Sequence, residues 1–148
     1  MIAHLMRAPA VALSLAYLSA CSPPSPDSVR IGPPIPPVSE KVQTLSPEQA
    51  AALLKELPQM LVLDVRTDRE WREDGHLPAA RLLDFMHGDE TLAELAKLDR
   101  RSPCLIYCAI GGRAKLIAAE MEALGFDRLY LLESGSNAWI AAGLPVQH

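Results

Sequence analysis

The sequence predicts an α/β domain built on a parallel sheet with helices on both faces. Three short and nearly continuous apolar runs, at residues 60–65, 104–107 and 128–132, have the length and composition of buried strands. Segments with apolar residues at helical spacing lie between these runs. Strands that alternate with helices form parallel sheets, because each helix crosses a face of the sheet to connect two strands. The 148 residues, 49% of them hydrophobic, suffice for one such domain with additional segments.

Local signals set the bounds of the other elements. Ser46 is a helix cap followed by Pro47 at the first helical position, and Pro58 ends this helix. The remaining predictions are a short helix within residues 67–75, a strand at 79–83, helices at 91–98 and 137–142, and a helix from Arg113 to a left-handed cap at Gly125. Taken together, these elements predict one domain at residues 44–147.

The N-terminal part of the chain predicts an export signal. Residues 1–20 hold one cation, Arg7, followed by an apolar run that is shorter than the roughly 20 residues needed to span a bilayer. Such a run fits a secretory signal peptide. Leu18-Ser19-Ala20-Cys21 resembles the lipobox of bacterial lipoproteins, which implies cleavage before Cys21 and its lipidation. The alternative is an ordinary secretory signal in which Cys21 is incidental.

The lipobox resemblance implies a location. Acyl chains on Cys21 would anchor the protein in the bacterial cell envelope, facing the periplasm. Ser22 favours the outer membrane, because the inner-membrane retention signal of lipoproteins is an aspartate at that position. The proline-rich segment 21–43 predicts an extended linker that holds the domain away from the membrane.

Composition and spacing argue against several partners. The formal net charge is −4 and aromatic residues make up 5% of the chain, so neither a basic nor a base-stacking surface for nucleic acid is expected. His76, His87 and His148 stand in no pattern of metal ligands. We therefore expect no nucleic acid, no metal and no organic cofactor.

The turn from Cys108 to Arg113 is the most informative stretch. Cys108 follows the predicted strand 104–107 and precedes a helix, so the N–H groups of the turn can converge on its sulfur. Together with the helix dipole and the Arg113 guanidinium, they favour the nucleophilic thiolate. The alternative is a buried cysteine before an ordinary glycine turn. The predicted substrate-binding loop consists of Ala109, Ile110, Gly111, Gly112 and Arg113.

Three motifs resemble the signatures of rhodanese-like domains across residues 44–146. They are Asp64-Val65-Arg66 with Glu70-Trp71 and Gly75-His76-Leu77-Pro78-Ala79-Ala80, the loop Cys108 to Arg113, and Gly135 with Ala138-Trp139 and Ala142-Gly143-Leu144-Pro145-Val146. The resemblance implies a sulfurtransferase. Cys108 would take sulfane sulfur from thiosulfate or a persulfide, hold it as a persulfide and pass it to a thiol or cyanide, while Arg113 would bind the sulfonate of thiosulfate.

Some residues depart from the family pattern or have other expected roles. Ala109 and Ile110 stand where many members have polar or cationic residues, so a persulfide or an organic polysulfide suits the loop as well as thiosulfate does. Asp64 and Arg66 are expected to support the site rather than to transfer protons. Cys104 is expected to be a core residue, because four residues of strand separate it too far from Cys108 for a disulfide.

Two other classes of function are compatible with parts of this sequence. Phosphatases of the dual-specificity cell-cycle type share the fold but have five residues between cysteine and arginine, whereas four separate Cys108 from Arg113. A non-enzymatic module that binds sulfur species or a protein partner is the main alternative to the enzyme. Persulfidation of Cys108 by small donors separates this module from an enzyme, and the sequence names no protein partner.

Overall fold

The computed structural model describes residues 41–148. The predicted signal peptide at 1–20, Cys21 and most of the predicted linker at 21–43 lie outside the described residues. The elements in chain order are β1 (Val42–Leu45), α1 (Pro47–Glu56), β2 (Leu61–Asp64), α2 (Asp68–Asp74), β3 (Ala80–Leu82), a 3-10 helix (Phe85–His87), α3 (Asp89–Ala96), β4 (Cys104–Tyr107), α4 (Gly112–Ala123), β5 (Leu129–Leu132) and α5 (Gly135–Ala141). Within this part of the chain, no helix is long and apolar enough to cross a membrane.

The strands of the described chain form one parallel sheet. Their order is β1-β5-β4-β2-β3, and every neighbouring pair runs in the same direction. β4 is the central strand and all four of its residues are buried, as its continuous apolar run predicts. The predicted α/β class with a parallel sheet is confirmed.

Helices cover both faces of the sheet. On one face, α3 and α4 contribute Leu95, Ile117 and Met121 to a core that contains Ile106 of β4. On the other face, α1 and α5 contribute residues to a second core that contains Leu105 of β4. The helix residues of this second core are Ala50 and Trp139. The predicted arrangement of helices on both faces is confirmed.

Side chains of β4 alternate between the two cores. Cys104, Ile106 and Cys108 belong to the core under α3 and α4, whereas Leu105 and Tyr107 belong to the core under α1 and α5. This is the period of two expected for a strand. Cys104 is fully buried, and this burial strongly raises the pKa of its thiol. Cys104 is thus the core residue that the sequence predicts.

The structure departs from the predicted elements at several places, and one of them is the 3-10 helix Phe85–His87, which was not predicted. β1 was not predicted, because only one of its four residues is buried and its two central residues are exposed. It lies at the edge of the sheet and pairs with β5 alone. Helix α3 covers Asp89–Ala96 rather than 91–98, and α5 begins at Gly135 rather than 137. The early start of α5 follows from two successive residues with positive φ, Ser134 and Gly135, which reverse the chain directly after β5.

Candidate active site

Cys108 lies between the end of the central strand β4 and the start of α4. The residue is only 1% exposed. The backbone N–H of Gly111 donates a hydrogen bond to its Sγ at 3.1 Å. Gly111 has a φ of +98°, a conformation that favours glycine, and it is the residue before the first turn of α4. The turn thus aims a backbone donor and a helix N-terminus at one sulfur atom.

The carbonyl groups of the same loop are bound on its other side by α5. The Cys108 carbonyl accepts from the Ser136 N–H at 2.8 Å, and the Ala109 carbonyl accepts from the Asn137 N–H at 3.2 Å. Gly135 permits this close approach, because a Cβ there would collide with the Cys108 carbonyl and its φ is +63°. The backbone of the loop is thereby held with its carbonyls toward α5.

Arg113 and Glu70 form an ion pair with two hydrogen bonds beside this loop. Arg113 Nη1 donates to Glu70 Oε2 at 2.8 Å, and Nη2 donates to Oε1 at 2.6 Å. The hydrogen bond from Arg113 is the main cause that lowers the pKa of Glu70 to about 2. The same bond raises the pKa of Arg113, with a smaller contribution in that direction from Cys108. Glu70 is thus the residue that binds the Arg113 guanidinium directly.

Asp64 and Arg66 form a buried pair on the opposite face of the sheet. Arg66 Nε donates to Asp64 Oδ1 at 3.0 Å, and Nη2 donates to Oδ2 at 2.7 Å. Arg66 Nη2 also donates to the Gly75 carbonyl at 2.6 Å. Its guanidinium carbon lies 5.7 Å from the centre of the Tyr107 ring, and burial is the main cause that raises the pKa of Tyr107.

This network fixes the framework around the site. The Tyr107 hydroxyl accepts from the Leu77 N–H at 3.1 Å, so β4 is joined to the segment that follows α2. Tyr107 and Cys108 are successive residues whose side chains enter different cores. Asp64 and Arg66 therefore lie on the face of the sheet that carries Tyr107, not on the face that carries Cys108. From that face they support the ends of β2 and β4.

The mouth of the loop is apolar. Ile110 is 74% exposed, although it is a large aliphatic residue. Ala109 is partly buried beside it, so neither residue brings a charge to the entrance. Among residues 41–148, no group of three or more histidine, cysteine, aspartate or glutamate side chains is arranged to hold a metal ion.

Sequence reasoning identified the loop but missed two of its neighbours. It assigned no role to Glu70, which occupies both terminal nitrogens of Arg113. It named Gly135 only as part of a motif, whereas the structure places this residue against the carbonyls of Cys108 and Ala109. The positive φ of Gly135 is a property that an isolated glycine in a turn could have suggested.

Comparison with known proteins gives the family. The model of the rhodanese-like domain matches residues 46–142, so the chain belongs to this family. A thiosulfate sulfurtransferase GlpE from Pseudomonas entomophila is 33% identical over 95 residues, which cover 64% of this chain and 82% of that protein. The polysulfide-sulfur transferase homodimer from Wolinella succinogenes has a TM-score of 0.61 and 29% identity, covering 72% of this chain and 79% of that one.

A second group of relatives is longer than this chain. The tRNA uridine(34) hydroxylase of Chlamydia trachomatis is 35% identical over 100 residues, which cover 64% of this chain. The chain spans 30% of the length of that protein. The similarity to both groups supports a family of the sulfurtransferase type.

The contact at Gly135 generates the first testable prediction. We expect Gly135→Ala to lower the free energy of unfolding by about 2 kcal/mol or more, because it combines left-handed strain with a collision against the loop backbone. Urea denaturation of the purified protein measures this change. Gly143→Ala is the matched control, because its φ is +68° but a Cβ there meets nothing within 4 Å. Equal losses in the two variants would contradict the role of the close approach.

The buried pair generates the second prediction. Asp64→Asn should lower the free energy of unfolding by about 3 kcal/mol, because it leaves the buried Arg66 charge without its main partner. Asp74→Asn is the control. It removes a carboxylate that lies 3.8 Å from the same guanidinium but is 58% exposed, and it should cost less than about 1 kcal/mol. A comparable loss in both variants, measured by urea denaturation, would argue against a special role for Asp64.

Proposed function

We propose that this protein transfers sulfane sulfur from thiosulfate or a persulfide to a thiol or cyanide through a persulfide on Cys108. The observation that carries the proposal is the hydrogen bond from the Gly111 N–H to Cys108 Sγ. A backbone donor at a helix start stabilises negative charge on sulfur. The similarity to a thiosulfate sulfurtransferase and to a polysulfide-sulfur transferase supports the same class of reaction.

In the first step the Cys108 thiolate attacks the outer sulfur of the donor. A new bond forms between Sγ and this sulfur, and the sulfur–sulfur bond of the donor breaks. Thiosulfate then leaves as sulfite, and a persulfide donor leaves as its thiolate, in each case with the bonding electron pair. This is covalent catalysis by an activated thiolate, and it divides the transfer into two displacements.

In the second step the acceptor attacks the terminal sulfur of the Cys108 persulfide. Cyanide is converted to thiocyanate, or a thiol acceptor to a persulfide, and the Cys108 thiolate is released with the bonding electron pair. Backbone N–H groups of the loop can stabilise the terminal sulfur when it carries negative charge. Charge is balanced in both steps, and no electron acceptor is needed.

The third prediction tests the covalent step. After incubation of the purified full-length protein with thiosulfate or a persulfide, peptide mass mapping should find one added sulfur on the peptide that contains Cys108. Cyanide should remove this sulfur and release thiocyanate, because the persulfide is the transferable intermediate. Cys108→Ser should gain none, whereas Cys104→Ser should still gain one. A folded protein with a free Cys108 thiol that gains no sulfur from either donor would favour the non-enzymatic module.

We also propose that the protein works in the bacterial cell envelope, anchored through lipidated Cys21 and facing the periplasm. The support is the lipobox-like sequence Leu18-Ser19-Ala20-Cys21 after a short apolar run. Several acyl chains at one cysteine provide stable attachment, whereas a single chain provides only marginal attachment. The proline-rich segment that follows then separates the catalytic domain from the membrane surface.

The fourth prediction tests this location. When the chain is produced in a Gram-negative host fed with labelled palmitate, the wild type should incorporate label and sediment with the membranes. Cys21→Ser should do neither, because it removes the acylated sulfur. Cys108→Ser, which removes a different cysteine, should retain both properties. Soluble, unlabelled wild-type protein would contradict the anchor and favour the ordinary secretory signal.

A further inference from the structure

The guanidinium of Arg113 is already paired with the carboxylate of Glu70 in the structure. Both terminal nitrogens of its guanidinium donate to the two carboxylate oxygens of Glu70, at 2.8 and 2.6 Å. The two side chains are 26% and 20% exposed, so solvent reaches the pair only in part. An incoming anion therefore meets a neutral pair rather than a free guanidinium, and it must approach a carboxylate as well.

Glu70 is fixed in place by the start of its own helix. Its Oε2 accepts from the Thr67 N–H at 2.9 Å and from the Thr67 hydroxyl at 2.8 Å. The Glu70 N–H donates in return to Thr67 Oγ1, which completes a capping box. Movement of Glu70 away from Arg113 would break these bonds, so the pair does not open without cost.

The neighbouring cations do not compensate for this neutralisation. Arg66 is near enough to Glu70 to interact with it electrostatically, but it is itself paired with Asp64. Arg69 and Arg72 lie on the exposed side of α2, where they pair with Glu73 and Asp68. Lys115 follows Arg113 by two residues in α4, and residues at this spacing do not face the same side of a helix. Ala109 and Ile110 bring no charge to the mouth, and Ile110 offers an exposed apolar side chain instead.

We propose that Glu70 sets the donor specificity of this site by cancelling the charge of Arg113. The site then favours sulfane donors that carry one negative charge or none and have an organic group, over the thiosulfate dianion. This inference rests on the proposed transfer through Cys108 and names the class of donor for it. Glu70 acts through Arg113 and is thus a positioning and specificity-determining residue rather than a catalytic one.

Two sulfur donors of similar shape but different charge test the effect of donor charge. Methanethiosulfonate resembles thiosulfate, with a methyl group in place of one charged oxygen, and it carries one negative charge instead of two. With either donor, Cys108 Sγ bonds to the terminal sulfur as the sulfur–sulfur bond breaks. Thiosulfate releases sulfite and methanethiosulfonate releases methanesulfinate, each with the bonding pair. The difference in leaving group is the same in every variant, so a change in the ratio of the two rates between variants reports the cost of the second charge.

The fifth prediction uses this ratio in the full-length protein. The second-order rate of sulfur loading on Cys108 is measured with each donor in wild type, Glu70→Gln, Glu70→Asp and Glu73→Gln. In Glu70→Gln the ratio of thiosulfate to methanethiosulfonate rates should rise about tenfold, the scale on which one nearby unit charge acts in a partly solvated site. The rise should shrink at high salt, because partly exposed charges are screened.

Two variants serve as controls. Glu73→Gln removes the same charge from the same helix, but at a carboxylate that is 61% exposed and paired with Arg69, and it should keep the wild-type ratio. Glu70→Asp keeps the negative charge and should also keep the ratio, even if both rates fall. This second control distinguishes loss of charge from a change in packing.

The outcomes distinguish this inference from the proposed function. If wild type loads sulfur but the ratio in Glu70→Gln stays within about twofold of wild type, the inference is wrong and the sulfur transfer stands. Loss of loading with both donors in Glu70→Gln also overturns the inference, because Glu70 would then be a structural requirement. If wild type loads sulfur from neither thiosulfate nor methanethiosulfonate, the inference fails. The proposed function fails with it only if a persulfide donor also loads no sulfur on Cys108.

Discussion

The shape of the loop from Cys108 to Arg113 depends on where its carbonyl groups are bound. The N–H groups of Ser136 and Asn137, in the first turn of α5, donate hydrogen bonds to the carbonyls of Cys108 and Ala109. A peptide group whose carbonyl is bound on one side presents its N–H on the other, because the two point in opposite directions. The turn between β5 and α5, more than twenty residues away in sequence, thus helps decide which side of the loop faces the sulfur.

The charged residues around this loop form two ion pairs, and the two pairs have different roles. Asp64 and Arg66 are almost fully buried and hold strand ends together on the face away from Cys108. Arg113 and Glu70 are partly exposed and lie beside the loop itself. The buried pair positions the backbone, and its loss would leave an uncompensated buried charge. The partly exposed pair instead sets the net charge beside the loop.

The sequence predicted the features that depend on local pattern. Continuous apolar runs gave β2, β4 and β5, and the Ser46-Pro47 cap gave the start of α1. β1 was not predicted, because an edge strand with two exposed central residues has no distinctive periodicity. The Glu70–Arg113 ion pair was not predicted for a different reason. It joins residues 43 positions apart, and no local pattern specifies which of several acidic residues meets a given arginine.

The burial of Cys108 also limits the covalent chemistry open to it. A disulfide requires sulfur atoms about 2 Å apart and Cβ atoms about 4 Å apart. Cys108 is 1% exposed, and Cys104, in the same core, is fully buried. Two folded molecules cannot bring these atoms so close without unfolding the loops that surround them. In oxidising surroundings the domain is therefore expected to resist cross-linking to its own copies through Cys108.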